Sequence, residues 1–234
     1  MKKYIFENKL SNKEINWILN QFPDNYESYN FVVYNDKNLL SLINKKKSEV
    51  EIVANDDYEI NNFYKTARDQ DKNLTNAMKK LSCTKKTFVQ LDGETETKTS
   101  LKKAEKYIFV QKMTKNKKIL PNIKKASVEW KKTIDTVKQY ADRIKDTHFV
   151  DMSHPEKFLK TFSSNNYFLF LCFYTSNKQT SDIIEIHKTL ANSKSKVCIF
   201  DEYNPITKRI FCDWNMKKIS KKDSSSNFCV WKNY

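Results

Sequence analysis

A single glycine, Gly93, stands among 234 residues. Glycine enters left-handed backbone without steric cost and lets a main chain lie against a phosphate group. A chain with one glycine therefore has no Walker loop, no G-x-G-x-x-G dinucleotide fingerprint and no kinase glycine loop. That excludes most ATP, GTP, NAD and FAD enzymes of familiar type, and no cofactor is expected. Turns are constrained too: Asp92-Gly93 is the one pair suited to a tight two-residue hairpin.

The glycine scarcity belongs to a wider pattern of 40 Lys against 3 Arg, with 24 Asn. Lys, Asn, Ile, Phe and Tyr have A/T-rich codons, so part of the lysine excess reflects codon bias. Many chains of this type balance lysine with carboxylates, but here 43 basic residues face 28 acidic ones, a net charge of +15. The surplus is also localised. Residues 65–138 hold 20 basic and 8 acidic side chains, net +12, whereas residues 1–64 are at −2 and residues 139–234 at +5. Such localisation fits a polyanion partner better than a general solubility coat. A nucleic acid is expected, RNA ahead of DNA.

With 39% hydrophobic and 13% aromatic residues the chain is a folding one. The expectation is one α+β domain over 1–234, with a basic central section at 65–138. Its longest apolar stretch, Tyr167–Tyr174, is far below the ~20 residues of a membrane span, and no membrane partner is expected. Charge returns at Glu7 before any signal-peptide core develops. These features point to a cytoplasmic, reducing setting. Five cysteines lack any C-x-x-C pair. Cys172, Cys198 and Cys212 lie in apolar runs, while Cys229 near the end is expected to be accessible.

Patterning predicts a mixed sheet with several helices. Ser11-Asn12-Lys13-Glu14 is a capping box opening a helix over Asn12–Phe22. Strands are expected at Lys3–Glu7, Phe31–Tyr34, Glu49–Ala54, Tyr107–Met113, Tyr167–Tyr174, Lys196–Phe200, Arg209–Trp214 and Phe228–Trp231. A hairpin is read at Thr87–Leu91, Asp92-Gly93 and Glu94–Thr99, and a turn at Asn116-Lys117-Lys118. Helices are expected after Asp36, from Asp57 and, past an interruption at Asp69–Lys72, again to about Leu81, from Pro155 through Phe162 and at Asp182–Leu190. The clearest period is Trp130, Ile134, Val137, Ala141, Ile144 and His148, one stripe of a long amphipathic helix near 124–146. The units are not the regular long ones of a doubly wound sheet.

The candidate phosphate-contacting residues are Lys102, Lys103, Lys106, Lys112, Lys115, Lys117, Lys118, Lys124, Lys125, Lys131 and Lys132, joined by Lys79-Lys80 and Lys85-Lys86. Lysines meet phosphates as point charges, which implies backbone rather than base recognition. Tyr107, Phe109 and Trp130 serve either as stacking surfaces or as core.

A second cluster joins Asp146, His148, Asp151, His154 and Glu156 to Arg143. Histidine and carboxylate can act as base and acid in metal-free RNA transesterification, with arginine stabilising the phosphorane. The alternatives are a core His148, a helix entry at Ser153-His154-Pro155, and a metal site of no standard spacing. Glu96-Thr97-Lys98 resembles half of a restriction-type nuclease site but reads as a polar hairpin. His187, on a helix, is the third histidine.

Size, composition and the order Glu7, Arg143, His187, Cys229 resemble the killer-plasmid tRNA anticodon nucleases. The resemblance implies metal-independent RNA cleavage by the Glu, the Arg and the His, and a terminal Cys tethering the toxin to a carrier chain. The reading is thus a basic nucleic-acid-binding protein, with an endoribonuclease using Glu7, Arg143 and a histidine (His187, His148 or His154) as its sharp form. The alternatives are a non-enzymatic viral or plasmid nucleic-acid-binding or expression factor, and a host-interaction or immunity protein.

Overall fold

The capping box does start the first helix. In the computed structural model, which describes residues 5–6, 10–94, 99–115, 118–119, 123–152, 155–164, 166–174, 179–220 and 227–234, α1 spans Asn12–Leu19. The Ser11 amide donates to the Glu14 carboxylate at 2.6 Å, and the Glu14 amide donates back to Ser11 Oγ at 3.3 Å. Then follow β1 (Asn30–Tyr34), a one-turn α2 (Leu40–Ile43) and β2 (Glu51–Asn55). Next come the helices α3 (Tyr58–Asp69), α4 (Asp71–Lys80), α5 (Lys85–Gly93) and α6 (Ser100–Met113). A two-stranded ribbon, β3 (Thr114–Lys115) and β4 (Lys118–Ile119), leads to α7 (Ile123–Arg143). The remainder alternates: β5 (Thr147–Asp151), α8 (Pro155–Thr161), β6 (Tyr167–Cys172), α9 (Thr180–Leu190), β7 (Lys196–Glu202), α10 (Pro205–Ile210), β8 (Asn215–Lys218) and β9 (Phe228–Lys232).

These elements form two compact units, Met1–Asn8 with Asp57–Asp146, and Lys9–Asp56 with Thr147–Tyr234. The second unit holds a seven-stranded sheet ordered β5-β2-β1-β6-β7-β9-β8. β5, β2, β1, β6 and β7 run parallel, and β9 is antiparallel to both β7 and β8. Both faces are covered, as parallel strands require. Val32, Tyr34, Leu169, Leu171, Val197, Ile199 and Trp231 pack with Leu159 of α8 and Ile186 and Leu190 of α9. On the other face Phe22, just past α1, meets Phe31, Phe168 and Phe170 with ring centroids 4.8–5.8 Å apart. The sheet is therefore doubly wound. Its short connections, such as the single turn of α2, conceal the winding from a periodicity search.

The helical unit buries the expected stripe of α7: Trp130, Ile134, Val137, Ala141 and Ile144 are each no more than 6% exposed. The indole of Trp130 donates to the Met78 carbonyl at 3.0 Å, locking α7 to the end of α4. Three expectations are corrected. Residues Thr87–Leu91 are helical in α5, not a hairpin arm. Thr84 Oγ1 accepts from the Thr87 amide at 3.1 Å, and Phe88 and Leu91 bury at helical spacing. Gly93 ends that helix without positive φ, so the left-handed turn that Asp-Gly favours does not form; residues 95–98 lie outside the described ones. Tyr107–Met113 is likewise helical in α6, because a Thr99 cap and the burial of Ala104, Tyr107 and Ile108 override local strand propensity. Arg209–Trp214 is not a strand: Asn204 caps α10, Pro205 sits in its first turn, and the edge strand begins at Asn215. Of Lys3–Glu7, only Ile5 and Phe6 are described, and they form a bend. Residues 116 and 117 of the expected turn also lie outside the described ones.

Asparagine takes over the work of the missing glycines. Among the described residues, positive φ occurs at Asn25, Asn35, Asn166 and Leu39. Asparagine tolerates this region through its short polar side chain, whereas a leucine there is strained by about 1–2 kcal/mol.

Candidate nucleic-acid interface

Residues 57–146 of the helical unit carry 22 basic and 12 acidic side chains, net +10. The densest part lies around the junction of α4 and α5. From Lys72 to Leu91 there are five lysines and no carboxylate, and Lys72, Lys79, Lys80, Lys85 and Lys86 are all exposed. Leu74, Met78, Cys83 and Phe88 bury on the opposite side. Lys79 and Lys80 close α4, where a cation suits the helix dipole; Lys85 and Lys86 open α5, where it does not. α6 also opens on lysines, Lys102 and Lys103, with no acidic residue in its first turn. Two helix starts therefore break the usual charge preference in the direction that favours a phosphate.

The remaining predicted lysines divide. Lys102 is exposed and pairs with Glu105 at 2.8 Å, and Lys132 pairs with Glu129 at 2.9 Å. Lys103 and Lys131 are exposed; Lys106 is half-buried and donates to the Glu94 carbonyl; Lys112 is half-buried. On α7 the exposed Lys131, Lys132 and Lys138 alternate with exposed Glu129, Asp135 and Asp142, so this helix presents a mixed face. Lys115, Lys117, Lys118, Lys124 and Lys125 lie outside the described side chains. Tyr107, Phe109 and Trp130 are core, at 8%, 0% and 4% exposure.

In the sheet unit, a wound sheet binds ligands beyond the carboxyl ends of its strands, where the strand order turns. Here that point lies between β1 and β6. The loop after β1 supplies Asn35, Asp36, Lys37, Asn38 and Leu39. The Asp36 carboxylate is buried and accepts from the Ser41 amide at 2.7 Å and the Ser41 hydroxyl at 2.6 Å. It also accepts from the Leu40 and Asn38 amides. Burial raises its pKa above the ordinary carboxylate value, against the pull of these hydrogen bonds. The amides that would hold a ligand's anion are thus occupied by a side chain of the same loop. Twenty-one residues on, where wound sheets place an acidic ribose contact, Asp56 is clipped to Asn35. The Asn35 amide group donates to Asp56 Oδ2 and the Asp56 backbone amide donates to Asn35 Oδ1, both at 2.9 Å. The adjoining apolar hollow, lined by Ile15, Ile18, Leu40, Phe170, Cys172 and Phe200, measures about 10 Å³, room for about one water.

The candidate nuclease residues are dispersed over different elements. Arg143 is half-buried at the end of α7 in the helical unit. His148 is not on the α7 stripe: the helix stops at Arg143, and His148 is an exposed residue of edge strand β5. His187 lies on α9, its Nε2 3.2 Å from Asp213 Oδ1 and its ring edge-on to Phe211 at 4.9 Å. β5 stands three strand spacings from β6, the strand leading into α9, roughly 15 Å. Glu7 and His154 lie outside the described residues. Cys229 is not accessible: it is buried in β9, its thiol donating to the Asp201 carbonyl at 3.7 Å. The exposed thiol is Cys212, in the turn after α10.

Sequence reasoning missed Tyr58, the first residue of α3, which is 57% exposed. The available signal was its position off the buried stripe of Ile60, Phe63, Tyr64 and Ala67. Among the described residues no three His, Cys, Asp or Glu side chains are grouped to hold a metal ion, and no helix is long and apolar enough to cross a membrane. Compared with known protein families and curated proteins, the sequence matches none.

Proposed function

We propose that this chain binds nucleic acid, RNA first, through the lysine surface of its helical unit. The observation that carries the reading is the carboxylate-free stretch of exposed lysines from Lys72 to Lys86. Phosphate neutralisation releases counterions, so binding must weaken steeply with salt. The test is anisotropy of labelled RNA and duplex DNA across a salt series, with wild type and a Lys79, Lys80, Lys85, Lys86→Gln variant. Each lysine that contacts a phosphate contributes about one to the salt slope, so the variant should lose about three to four. Wild-type protein without salt-dependent binding would end the reading. Incubating the same protein with tRNA in EDTA tests the endoribonuclease form, whose signature is 2′,3′-cyclic phosphate ends.

One observation favours a second reading. Numbered within its own unit, the sheet runs 3-2-1-4-5-7-6 with strand seven reversed. Open wound sheets take a nucleotide-type cofactor beyond the carboxyl ends of their strands, a likeness of fold alone. The residues present do not fit that cofactor. Asp36 takes the loop amides, Asn35 holds Asp56, and the hollow is water-sized. The sheet unit is accordingly read as a scaffold. Calorimetric titration with adenine nucleotides decides between the two: micromolar binding would restore a cofactor-binding reading of the sheet unit.

A further inference from the structure

We infer that Tyr58 is a base-stacking platform, and that the helical unit takes single-stranded rather than fully paired nucleic acid. The inference rests on the nucleic-acid reading above and deepens it. The chain has 31 Phe, Tyr and Trp residues. Among those described, Tyr58 is the one whose side chain stands largely in solvent. A lone exposed aromatic is ordinary, but the surroundings of this one are not. Lys103 holds its ammonium 6.0 Å from the Tyr58 ring centroid, and Lys102 precedes it on the exposed start of α6.

The arrangement is built rather than incidental. Asn62, one turn beyond Tyr58, donates to the Ser100 carbonyl at 3.1 Å and fixes the start of α6 against α3. The Asp57 carboxylate is held at the start of α3. It accepts from the Glu59 and Ile60 amides at 2.9 and 3.3 Å and from the Tyr107 hydroxyl at 3.5 Å. Asp56 and Glu59 are the exposed carboxylates close to Tyr58 in the chain; on α6, Lys102 pairs with Glu105 at 2.8 Å and Lys103 is the lysine beside the ring. An aromatic face beside ammonium groups is the pattern that grips single strands, because every base offers a π-face and the neighbouring cations meet the backbone. A duplex hides its base faces in the stack and leaves only its phosphates to the lysines.

The test compares wild type, Tyr58→Ala and Tyr58→Phe by anisotropy with a labelled twelve-nucleotide single-stranded RNA and the matching RNA duplex. Stacking of one base predicts that Tyr58→Ala weakens single-strand binding roughly 5- to 100-fold. Duplex binding should stay within about twofold and the salt slope should not change, because no phosphate contact is lost. Tyr58→Phe should behave as wild type. Since Tyr58 is exposed, all three proteins should share one melting temperature. If Tyr58→Ala binds the single strand as wild type does, or weakens both ligands alike, the stacking role is overturned while the lysine surface stands. If wild type binds neither ligand, the underlying reading falls as well.

Discussion

Lys45 and Glu51 form a buried ion pair between α2 and β2, and its removal tests how this sheet unit is held together. The ammonium lies 2.8 Å from Glu51 Oε1, and the two side chains are 1% and 0% exposed. Each ammonium proton has an acceptor: Glu51 Oε1, Ser48 Oγ at 2.9 Å and the Lys46 carbonyl at 2.9 Å. Glu51 also accepts from the Ser48 amide at 3.1 Å, and the Phe31 ring lies 4.3 Å from the ammonium. Lys45→Met removes the cation 2.8 Å from the buried Glu51 carboxylate, and Glu51→Gln removes the anion that the ammonium lies against. Each should cost about 3–5 kcal/mol. The double change to Met and Leu removes both charges and should cost less than either single one, because neither desolvated ion remains. Urea unfolding followed by tryptophan fluorescence reads this well. Trp17, Trp214 and Trp231 belong to the sheet unit and Trp130 to the helical one. Salt at 0.5 M should leave the differences unchanged, since a buried pair is little screened. Single changes costing under about 1 kcal/mol, or a double variant equal to the sum of the singles, would refute the pairing argument.

Three further outcomes are expected. Burial lifts the Asp201 carboxyl to about 6 from an ordinary 3.8. The folded state then binds the proton more tightly than the unfolded, so stability present below pH 3.8 is lost as pH rises through 6. Asp201→Asn should flatten that stretch of the stability–pH curve and raise stability at pH 7 by about 1–2 kcal/mol; an unchanged slope refutes it. Asp36→Ala strands buried amides at the start of α2 and should lower stability by about 2–4 kcal/mol in chemical denaturation; a loss below about 1 kcal/mol would show that the loop does not depend on it. In the native protein one thiol, Cys212, should react rapidly with a thiol reagent, against five in denaturant. Burial pushes the Cys198 thiol up to about 12 and also raises that of Cys229. Rapid labelling of Cys229 would contradict its place in β9.

How much was legible follows from the range of the forces involved. Ser11 and Asp57 are read correctly as helix starts because a cap is satisfied within three residues of itself. The long helix ending near Arg143 shows as a period because one face meets one core. Phe31–Tyr34 and Tyr167–Cys172 show as apolar runs because both faces of a central strand are covered. Where two conformations had similar local propensity, packing chose. Tyr107-Ile108-Phe109-Val110 would pleat as readily as coil, and burial among α3, α4 and α7 made it a helix. Thr84 and Phe88 turned an Asp-Gly hairpin signal into the end of α5.

The site divides along the same line. Sequence alone set the charge surplus and its place in residues 65–138, because net charge needs no coordinates. It also excluded a glycine-built phosphate loop. Only the tertiary structure decided which lysines lie beside carboxylates, which aromatic faces solvent, and that Asn35, Asp36 and Asp56 close the crevice a wound sheet would offer. Those are relations between residues tens of positions apart, and a one-dimensional pattern does not contain the distances that create them.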